Sequence, residues 1–207
     1  LASKMKESIK EAMQFYDKNA KLYADTIFHK LVQFQLNHFI SLLPKNAKIL
    51  DLGCGPGRDA QYFAEYGLNV TAIDNSENML NEAKERVSNV EFKKMDMRKL
   101  AFEKSSFDGI WVMGSFTVIE KKDTLTALKE TARVMKPNGI IYLAVKEGKG
   151  EVIEHKPVYN NVPKFTAKYS KEEIEQLVAQ SGFSILSSEV SDDGEKNWVE
   201  IFAKLSS

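Results

Sequence analysis

The sequence of 207 residues contains a single cysteine, Cys54, and no excess of either sign of charge. One cysteine cannot form an internal disulfide or a multi-cysteine metal site, and we expect no metal. Lysine plus arginine and aspartate plus glutamate both number 29, so the formal net charge at pH 7 is zero. A neutral chain has no long-range attraction for polyanions, so a nucleic-acid partner is not expected.

Long apolar runs are also missing. The longest, Gly139 to Val145, has the length of a strand and falls far below the roughly 18–20 residues that span a bilayer. The first seven residues lack the apolar core of a secretory signal. We therefore expect no membrane partner and a reducing, cytoplasmic location. With 43% hydrophobic and 28% charged residues, the composition excludes global disorder and allows a sizeable core.

Hydrophobic periodicity divides the chain into four parts, which we predict to form one domain. Residues 1–43 carry apolar side chains at helical spacing, which predicts two helices broken near Asp17 to Ala20. In residues 44–145, short β-branched runs alternate with helical patterns, which predicts a largely parallel sheet covered by helices on both faces. Residues 146–169 lose the pattern and are predicted to be a long connection, a kind of segment that is often functional. Residues 170–207 predict a helix and a closing antiparallel hairpin.

The most informative motif is a glycine-rich loop. The segment Ile49 to Asp59 runs from a predicted strand through Gly53, Gly55 and Gly57 into a predicted helix. Missing side chains let a ligand lie against the backbone, and free amides at a helix N-terminus favour anionic groups. The dinucleotide fingerprint requires Gly-x-Gly-x-x-Gly, but Arg58 stands where its third glycine would be.

Two acids follow the next two predicted strands. Asp74 ends the second strand, where a carboxylate can accept hydrogen bonds from both hydroxyls of a ribose. Asp96 and Met97 follow the third strand, where an acid and the neighbouring amide can bind the edge of an adenine. Because parallel strands end at the same edge of a sheet, these motifs predict a nucleoside site there.

Five motifs in this order resemble those of the class I S-adenosylmethionine-dependent methyltransferases, in particular the methyltransferase type 11/25 domains. They are Leu50 to Gly57, Asp74, Met95 to Met97, Phe107 to Trp111 and Val134 to Ile141. The resemblance implies S-adenosylmethionine as cofactor and S-adenosylhomocysteine as product. It also implies a doubly wound, Rossmann-like α/β fold with a seven-stranded, mostly parallel sheet in the order 3-2-1-4-5-7-6. The last strand would be antiparallel, and the N-terminal helices would form a lid.

Candidate site residues come from these motifs and from the resemblance. For the cofactor they are Asp51, Gly53, Cys54, Gly55, Gly57, Arg58, Asp74, Asn75, Met79, Asp96, Met97 and Met113. For the acceptor they are Tyr16, Tyr23, Ser115, Phe116, His155 and Tyr159. No catalytic residue is assigned, because the methyl group is already activated on the cofactor.

Several of these residues also have ordinary structural interpretations. Arg58 either approaches the methionine carboxylate or begins a solvated helix. Cys54 would contribute its amide and not its thiol. Asp108 is more typical of a structural cap than of a ligand. His155 is either a general base or a solvated loop side chain.

The predicted reaction is in-line transfer of the methyl group to a small-molecule acceptor of unknown identity. After the fourth strand, Val112 to Phe116 lacks the Asn/Asp-Pro-Pro-Tyr pattern of exocyclic-amine DNA methyltransferases. The sequence also has no Pro-Cys pair for attack on a pyrimidine and no paired-glutamate loop like that of protein arginine methyltransferases.

Three alternatives stay open. A protein or RNA methyltransferase would be favoured by five lysines near the fifth strand, although a solvated loop explains them as well. These lysines are Lys146, Lys149, Lys156, Lys164 and Lys168. A non-catalytic S-adenosylmethionine-binding module has the same cofactor residues. An NAD-dependent oxidoreductase shares the sheet and the ribose acid, but it leaves the glycine spacing and Asp96-Met97 unexplained.

Overall fold

Strands make up the centre of the fold in the computed structural model, which describes residues 10–194 and 196–206. They are β1 (Lys48–Leu52), β2 (Asn69–Asp74), β3 (Glu91–Lys94), β4 (Phe107–Met113), β5 (Met135–Lys146), β6 (Glu151–His155), β7 (Pro163–Ala167), β8 (Phe183–Asp192) and β9 (Asn197–Leu205). Seven of them form one sheet in the order β3-β2-β1-β4-β5-β9-β8. Within this sheet β9 runs opposite to the other six strands, which are parallel to one another. Numbered within this sheet alone, the order is 3-2-1-4-5-7-6, which confirms the predicted fold class.

The middle strands are buried on both faces of the sheet. On β4, Ile110 and Val112 pack into the core on one face, and Trp111 packs into the core on the other. On β5, Leu143 packs on the same face as Ile110, and Tyr142 packs on the same face as Trp111. Successive side chains of a strand point to opposite faces, so a continuous apolar run is what a doubly covered strand requires.

Helices cover both faces of this sheet, and two of them begin at a serine cap. They are α1 (Phe15–Lys18), α2 (Ala20–Ile27), α3 (Gln33–Ser41), α4 (Arg58–Glu65), α5 (Glu77–Arg86), α6 (Lys121–Val134) and α7 (Lys171–Gln180). The Ser76 hydroxyl accepts a hydrogen bond from the Met79 amide, and the Ser170 hydroxyl accepts one from the Glu173 amide. These serines are the N-caps of α5 and α7.

The N-terminal region is more broken than the predicted pair of helices. Residues 10–13 are helical, α1 and α2 are separated at Asn19, and α2 and α3 are separated by residues 28–32. The Asn19 amide donates to the Phe15 carbonyl and competes with the helical ladder. In the second break, the Lys30 carbonyl accepts from Arg58 of α4 instead of continuing a helix. The part of the predicted lid in residues 1–9 lies outside the described residues.

Residues 146–169 are not the irregular connection that the sequence predicts. Strands β6 and β7 pair antiparallel, with His155 opposite Pro163, and a short 3-10 turn of Pro157–Tyr159 joins them. The prolines that obscured the pattern lie in this turn and at the first residue of β7, where a missing amide donor is tolerated. We call this unit the β6–β7 hairpin.

Two features are absent from the described ranges. None of their helices is both long enough and apolar enough to pass through a bilayer. The same residues contain no group of three or more His, Cys, Asp or Glu side chains placed to hold a metal ion.

Candidate cofactor and acceptor site

A cleft of about 570 Å³ lies at the carboxyl ends of β1, β2 and β4, beneath residues 10–27, which we call the lid segment. This volume is within the range of roughly 300–1,000 Å³ that is typical of small-molecule sites. Most of the predicted residues line it: Gly53, Gly55, Asp74, Asn75, Met79, Asp96, Met97 and Met113 for the cofactor, and Tyr16, Tyr23 and Ser115 for the acceptor. The motifs that the sequence places on separate strands are therefore brought together.

The glycine loop requires glycine for two different reasons. At Gly53, φ is +81°, and a Cβ atom would lie 2.3 Å from the Cβ of Ser115, so no larger residue fits. At Gly55, φ is +53°, and an added Cβ would meet nothing within 4 Å. Gly55 lines the cleft, so its bare backbone leaves room for a ligand to approach closely.

Asp74 joins the loop to the strand beside it. Its Oδ2 accepts from the Gly55 amide and its Oδ1 from the Ser76 amide, both at 2.9 Å. Burial raises the pKa of this carboxyl, and hydrogen bonds from Ser76, Gly55 and Asn75 oppose the rise. A carboxylate offers about four acceptor positions, so capacity is left for the hydroxyls of a ribose.

Asp96 is held in place by an arginine that the sequence reasoning missed. Arg98 Nη2 donates to Asp96 Oδ2 at 2.7 Å, and Arg98 Nη1 donates to Asp123 at 2.8 Å. The hydrogen bonds from Arg98 lower the pKa of Asp96. The carboxylate therefore stays ionised and keeps its acceptor character beside Met97. An arginine two residues after the acid was the available signal.

A second missed residue, Asp17, fastens the lid segment to the sheet. Its Oδ1 accepts from the Ser76 hydroxyl at 2.6 Å and from the Asn78 amide at 3.2 Å. The Asn78 side chain donates back to the Asp17 carbonyl at 3.0 Å. A carboxylate at the N-terminus of α5 is favoured by the helix dipole. Hydrogen bonds thus run without a gap from Asp17 through Ser76 to Asp74.

The two lid tyrosines form one wall of the cleft. The rings of Tyr16 and Tyr23 are 5.0 Å apart and nearly perpendicular. Desolvation raises the pKa of both phenols above the ordinary value of 10, so they are neutral at physiological pH. Across the cleft, the Ser115 hydroxyl donates to the Leu52 carbonyl at 2.6 Å and is fixed against β1.

Four predicted cofactor residues do not line the cleft: Asp51, Cys54, Gly57 and Arg58. Gly57, at φ +82°, is the N-cap of α4. Asp51 lies 3% exposed, and its Oδ2 has no hydrogen-bond partner among the described residues. Burial, assisted by the nearby Asp59, raises the pKa of Asp51 and favours its neutral form. Cys54 is buried, and burial raises the pKa of its thiol, so it is no nucleophile.

Arg58 is the first residue of α4, as one interpretation has it, but its side chain is held by other residues and is not freely solvated. Its guanidinium is buried and donates to the two oxygens of Asp59 at 2.7 and 2.9 Å. A third bond of 2.8 Å reaches the Lys30 carbonyl, and Trp111 Nε1 donates to the same Asp59 carboxylate at 2.8 Å. Arg58 therefore supports the glycine loop from behind and ties it to the break between α2 and α3.

Three predicted acceptor residues also lie away from the cleft wall: Phe116, His155 and Tyr159. Phe116 is completely buried in the core. His155 is exposed at the turn of the β6–β7 hairpin, where its Nδ1 lies 2.9 Å from the Asn161 carbonyl. Tyr159 packs edge-to-face against Phe15 at 5.0 Å and supports the lid segment from behind.

The residues of the cleft fit S-adenosylmethionine. Backbone without side chains at Gly55 provides the close approach, and Asp74 and Asp96 supply carboxylate acceptors at the ends of neighbouring strands. The methyltransferase domain family matches residues 49–139. The ubiquinone/menaquinone biosynthesis C-methyltransferase UbiE of Campylobacter jejuni is 31% identical over 175 residues, covering 70% of this chain and 73% of that protein. This chain belongs to the class I S-adenosylmethionine-dependent methyltransferases. Its cofactor is S-adenosylmethionine.

Other similar proteins agree with this family. The malonyl-[acyl-carrier protein] O-methyltransferase of Salmonella typhimurium is 36% identical over 95 residues, covering 46% of this chain and 37% of that protein. The chain spans about half or less of the length of several curated relatives. A solved S-adenosylmethionine-dependent methyltransferase of Methanosarcina mazei superimposes with a TM-score of 0.75 at 22% identity, over 82% of this chain and 97% of that one.

A further solved structure shares the fold. It is the 1,6-didemethyltoxoflavin-N1-methyltransferase of Burkholderia thailandensis with its acceptor and S-adenosylhomocysteine bound. The TM-score is 0.71 at 20% identity, and the match covers 94% of this chain and 84% of that one.

Proposed function

We propose that this methyltransferase transfers the methyl group of S-adenosylmethionine to a small-molecule acceptor. The observation that carries the proposal is the continuous set of hydrogen bonds from the lid through Asp17, Ser76 and Asp74 to Gly55. These hydrogen bonds connect the carboxylate of Asp74, which would bind the ribose, to the glycine backbone at Gly55 and to the lid segment above the cleft. It provides what an enclosed methyl-transfer site needs, which is a fixed cofactor and little water.

In this proposal the protein supplies binding and orientation. Asp74 accepts the ribose hydroxyls, while Asp96 and the Met97 amide bind the adenine edge. The lid tyrosines Tyr16 and Tyr23 exclude water at the methionine end of the cleft. When bound, the cofactor would supply a methyl group already activated on a sulfonium: the acceptor attacks the methyl carbon in line, and S-adenosylhomocysteine leaves with the electron pair of the broken carbon–sulfur bond. No protein nucleophile is needed.

A small acceptor is supported by the sequence and by the relatives. The chain carries no net charge, and it lacks the signatures of amine-directed DNA, pyrimidine and protein arginine methyltransferases. Relatives and neighbours include UbiE, a malonyl-[acyl-carrier protein] O-methyltransferase and a didemethyltoxoflavin methyltransferase. These names span carbon, oxygen and nitrogen methylation, so they do not select the atom that this chain methylates.

Cofactor binding is tested by thermal unfolding with S-adenosylmethionine, S-adenosylhomocysteine or NAD. A ligand that binds the folded state raises the melting temperature by mass action. We expect both sulfur compounds to raise it and NAD to leave it unchanged. A rise with NAD alone would contradict the proposal.

The acceptor class is tested with methyl-labelled S-adenosylmethionine in a cell extract that is then separated into low-molecular-mass, protein and RNA fractions. Label that depends on the enzyme should appear in the low-molecular-mass fraction. Transfer into protein or RNA would replace the proposed acceptor class. Binding without any transfer would indicate a module that holds the cofactor without catalysis.

A further inference from the structure

The β6–β7 hairpin buries a lysine that has no anionic partner of its own in the described part of the chain. Lys164 of β7 is 9% exposed, and within the described residues its ammonium makes no hydrogen bond or ion pair. The contacts it does make are with aromatic rings of the lid segment. Its Nζ lies 4.7 Å from the ring centre of Tyr16, 5.1 Å from that of Phe15 and 5.8 Å from that of Tyr23.

The charges around Lys164 do not balance. The negative charge of Glu154 on β6 favours the charged form of Lys164. Both oxygens of Glu154 are already paired, however: Oε2 lies 3.2 Å from the Lys146 ammonium, and Oε1 lies 3.2 Å from the Lys168 ammonium. Lys156 adds a further positive charge nearby. Burial lowers the pKa of both Lys146 and Lys164 to about 8. A buried charge is costly unless an opposite charge accompanies it, so an anion brought near Lys164 would be stabilised.

Lys164 lies close to the cofactor cleft, so its positive charge can affect a ligand bound there. Tyr16 and Tyr23 line the cofactor cleft, and the same rings receive the Lys164 ammonium. Lys164 is therefore separated from the cleft by a single layer of aromatic side chains. The hairpin that carries it follows β5 directly, at the carboxyl edge of the sheet where the cleft opens.

We propose that the methyl acceptor carries an anionic group, a carboxylate or a phosphate, whose charge is attracted by the Lys164 ammonium across the rings of Tyr16 and Tyr23. This inference rests on the proposed function and adds a substrate class to it. An ammonium acts as a point charge with no preferred plane, so Lys164 selects the sign of the acceptor and not the shape of its anionic group. A cationic acceptor is disfavoured by the same charge.

The test uses the full chain saturated with S-adenosylhomocysteine and pairs of probes that differ in charge. Benzoate is compared with benzamide, and phenyl phosphate with phenol, by calorimetric titration. We expect at least one anionic probe to bind roughly tenfold more tightly than its neutral counterpart, because two opposite charges attract each other strongly through a water-poor layer of side chains. The pair that shows the difference identifies the carboxylate or the phosphate.

Variants locate the effect. Lys164→Met keeps the length of the aliphatic stem and removes the charge, and should abolish the advantage of the anionic probe. Lys164→Gln serves as a second variant if the first does not fold. Lys149→Met, at an exposed lysine beside the same hairpin, should keep the advantage.

Equal affinity of charged and neutral probes in the wild type would overturn the inference, and so would an advantage that survives loss of the Lys164 charge. S-adenosylhomocysteine is titrated first in every protein. If it binds and the anionic advantage is absent, the inference fails and the proposed function stands. If it does not bind to the wild type, the proposed function itself fails.

Discussion

At the scale of single residues, Asp74 serves the fold and the ligand together. Its two oxygens fix the Gly55 and Ser76 amides, which begin the glycine loop turn and the first turn of α5. The same carboxylate faces the cleft. Asp108 lies at the opposite edge of the sheet, where it accepts from the Lys48 amide and the Lys136 ammonium. Substitution of Asp74 therefore tests ligand binding, and substitution of Asp108 tests the stability of the fold.

Replacing Asp74 with alanine should weaken S-adenosylmethionine binding by roughly ten- to a hundredfold. Charge-assisted hydrogen bonds to the ribose contribute about 1.5–3 kcal/mol each, and the variant loses them. Isothermal titration calorimetry measures the affinity directly. Unchanged affinity would remove Asp74 from the site.

The control for this substitution is Asp108→Ala. Although burial acts in the other direction, bonds from Lys136 and Lys48 hold the pKa of Asp108 below its usual value, so the folded state favours the ionised form. Its loss should lower the free energy of unfolding and leave cofactor affinity unchanged. An equal loss of affinity in both variants would indicate general destabilisation.

Lys164 predicts a pH dependence of stability. Its pKa is about 8 in the folded protein against an ordinary 10.5, so between these values the unfolded chain binds more protons. The free energy of unfolding should therefore rise with pH in this window, by up to about 3 kcal/mol for this group. Tyr16 and Tyr23, with raised pKa values, act in the opposite direction near and above pH 10.

Urea unfolding of the wild type and of Lys164→Met at pH 7.5 to 10 isolates the lysine contribution, since the tyrosines are common to both. The wild type should gain stability relative to the variant as pH rises through 8. A difference that stays constant with pH would show that the ammonium is as well solvated in the folded state as in the unfolded one.

At the scale of elements, local patterns sufficed where the deciding contacts are local. The caps at Ser76 and Ser170 lie within three residues of their partners, and the apolar run at Ile110 to Met113 specifies a central strand by itself. Contacts between distant segments could not be predicted. Asp17 meets α5 59 residues later in the chain, and Arg58 meets Lys30 28 residues earlier.

The structure of the β6–β7 hairpin could not be predicted from its own sequence either. Its prolines predict irregular structure, and its lysines are typical of a solvated loop. The interpretation changes only when the lid segment is packed against β7, which buries Lys164. Pairing of a short hairpin is stabilised by its neighbours more than by its own sequence.

The fastening of the lid segment by Asp17 should be measurable in the cofactor affinity. Asp17→Ala removes acceptors for the Ser76 hydroxyl and the Asn78 amide, and we expect roughly tenfold weaker S-adenosylmethionine binding, mainly through faster dissociation. Stopped-flow displacement measures the dissociation rate.

The matched control is Asp25→Ala on the same lid segment. Asp25 forms an exposed ion pair of 2.7 Å with Arg86 at the other end of α5, and exposed pairs contribute little. Dissociation should be nearly unchanged in this variant. If both variants release the cofactor equally fast, loosening of the lid in general, and not the Asp17 contact, controls affinity.

At the scale of the whole molecule, the lid segment should respond to the cofactor while the far edge of the sheet does not. Lys18, Lys21 and Lys30 are exposed sites for trypsin on or beside the lid, and Lys104 is an exposed site in a turn before β4. Saturating S-adenosylhomocysteine should slow cleavage at the first three and leave Lys104 unchanged. Mass spectrometry of timed digests identifies the sites. Equal protection at Lys104 would indicate global stabilisation instead of lid closure.

The lid segment also touches both sides of the reaction, through Asp17 on α5 and through Phe15 and Tyr16 on the Lys164 side. If the acceptor is held near Lys164 as proposed, we expect it to keep the lid closed over the cofactor. We therefore expect the two substrates to bind in compulsory order, with S-adenosylmethionine first and S-adenosylhomocysteine released last. In initial-rate measurements, S-adenosylhomocysteine should compete with S-adenosylmethionine and be noncompetitive towards the acceptor.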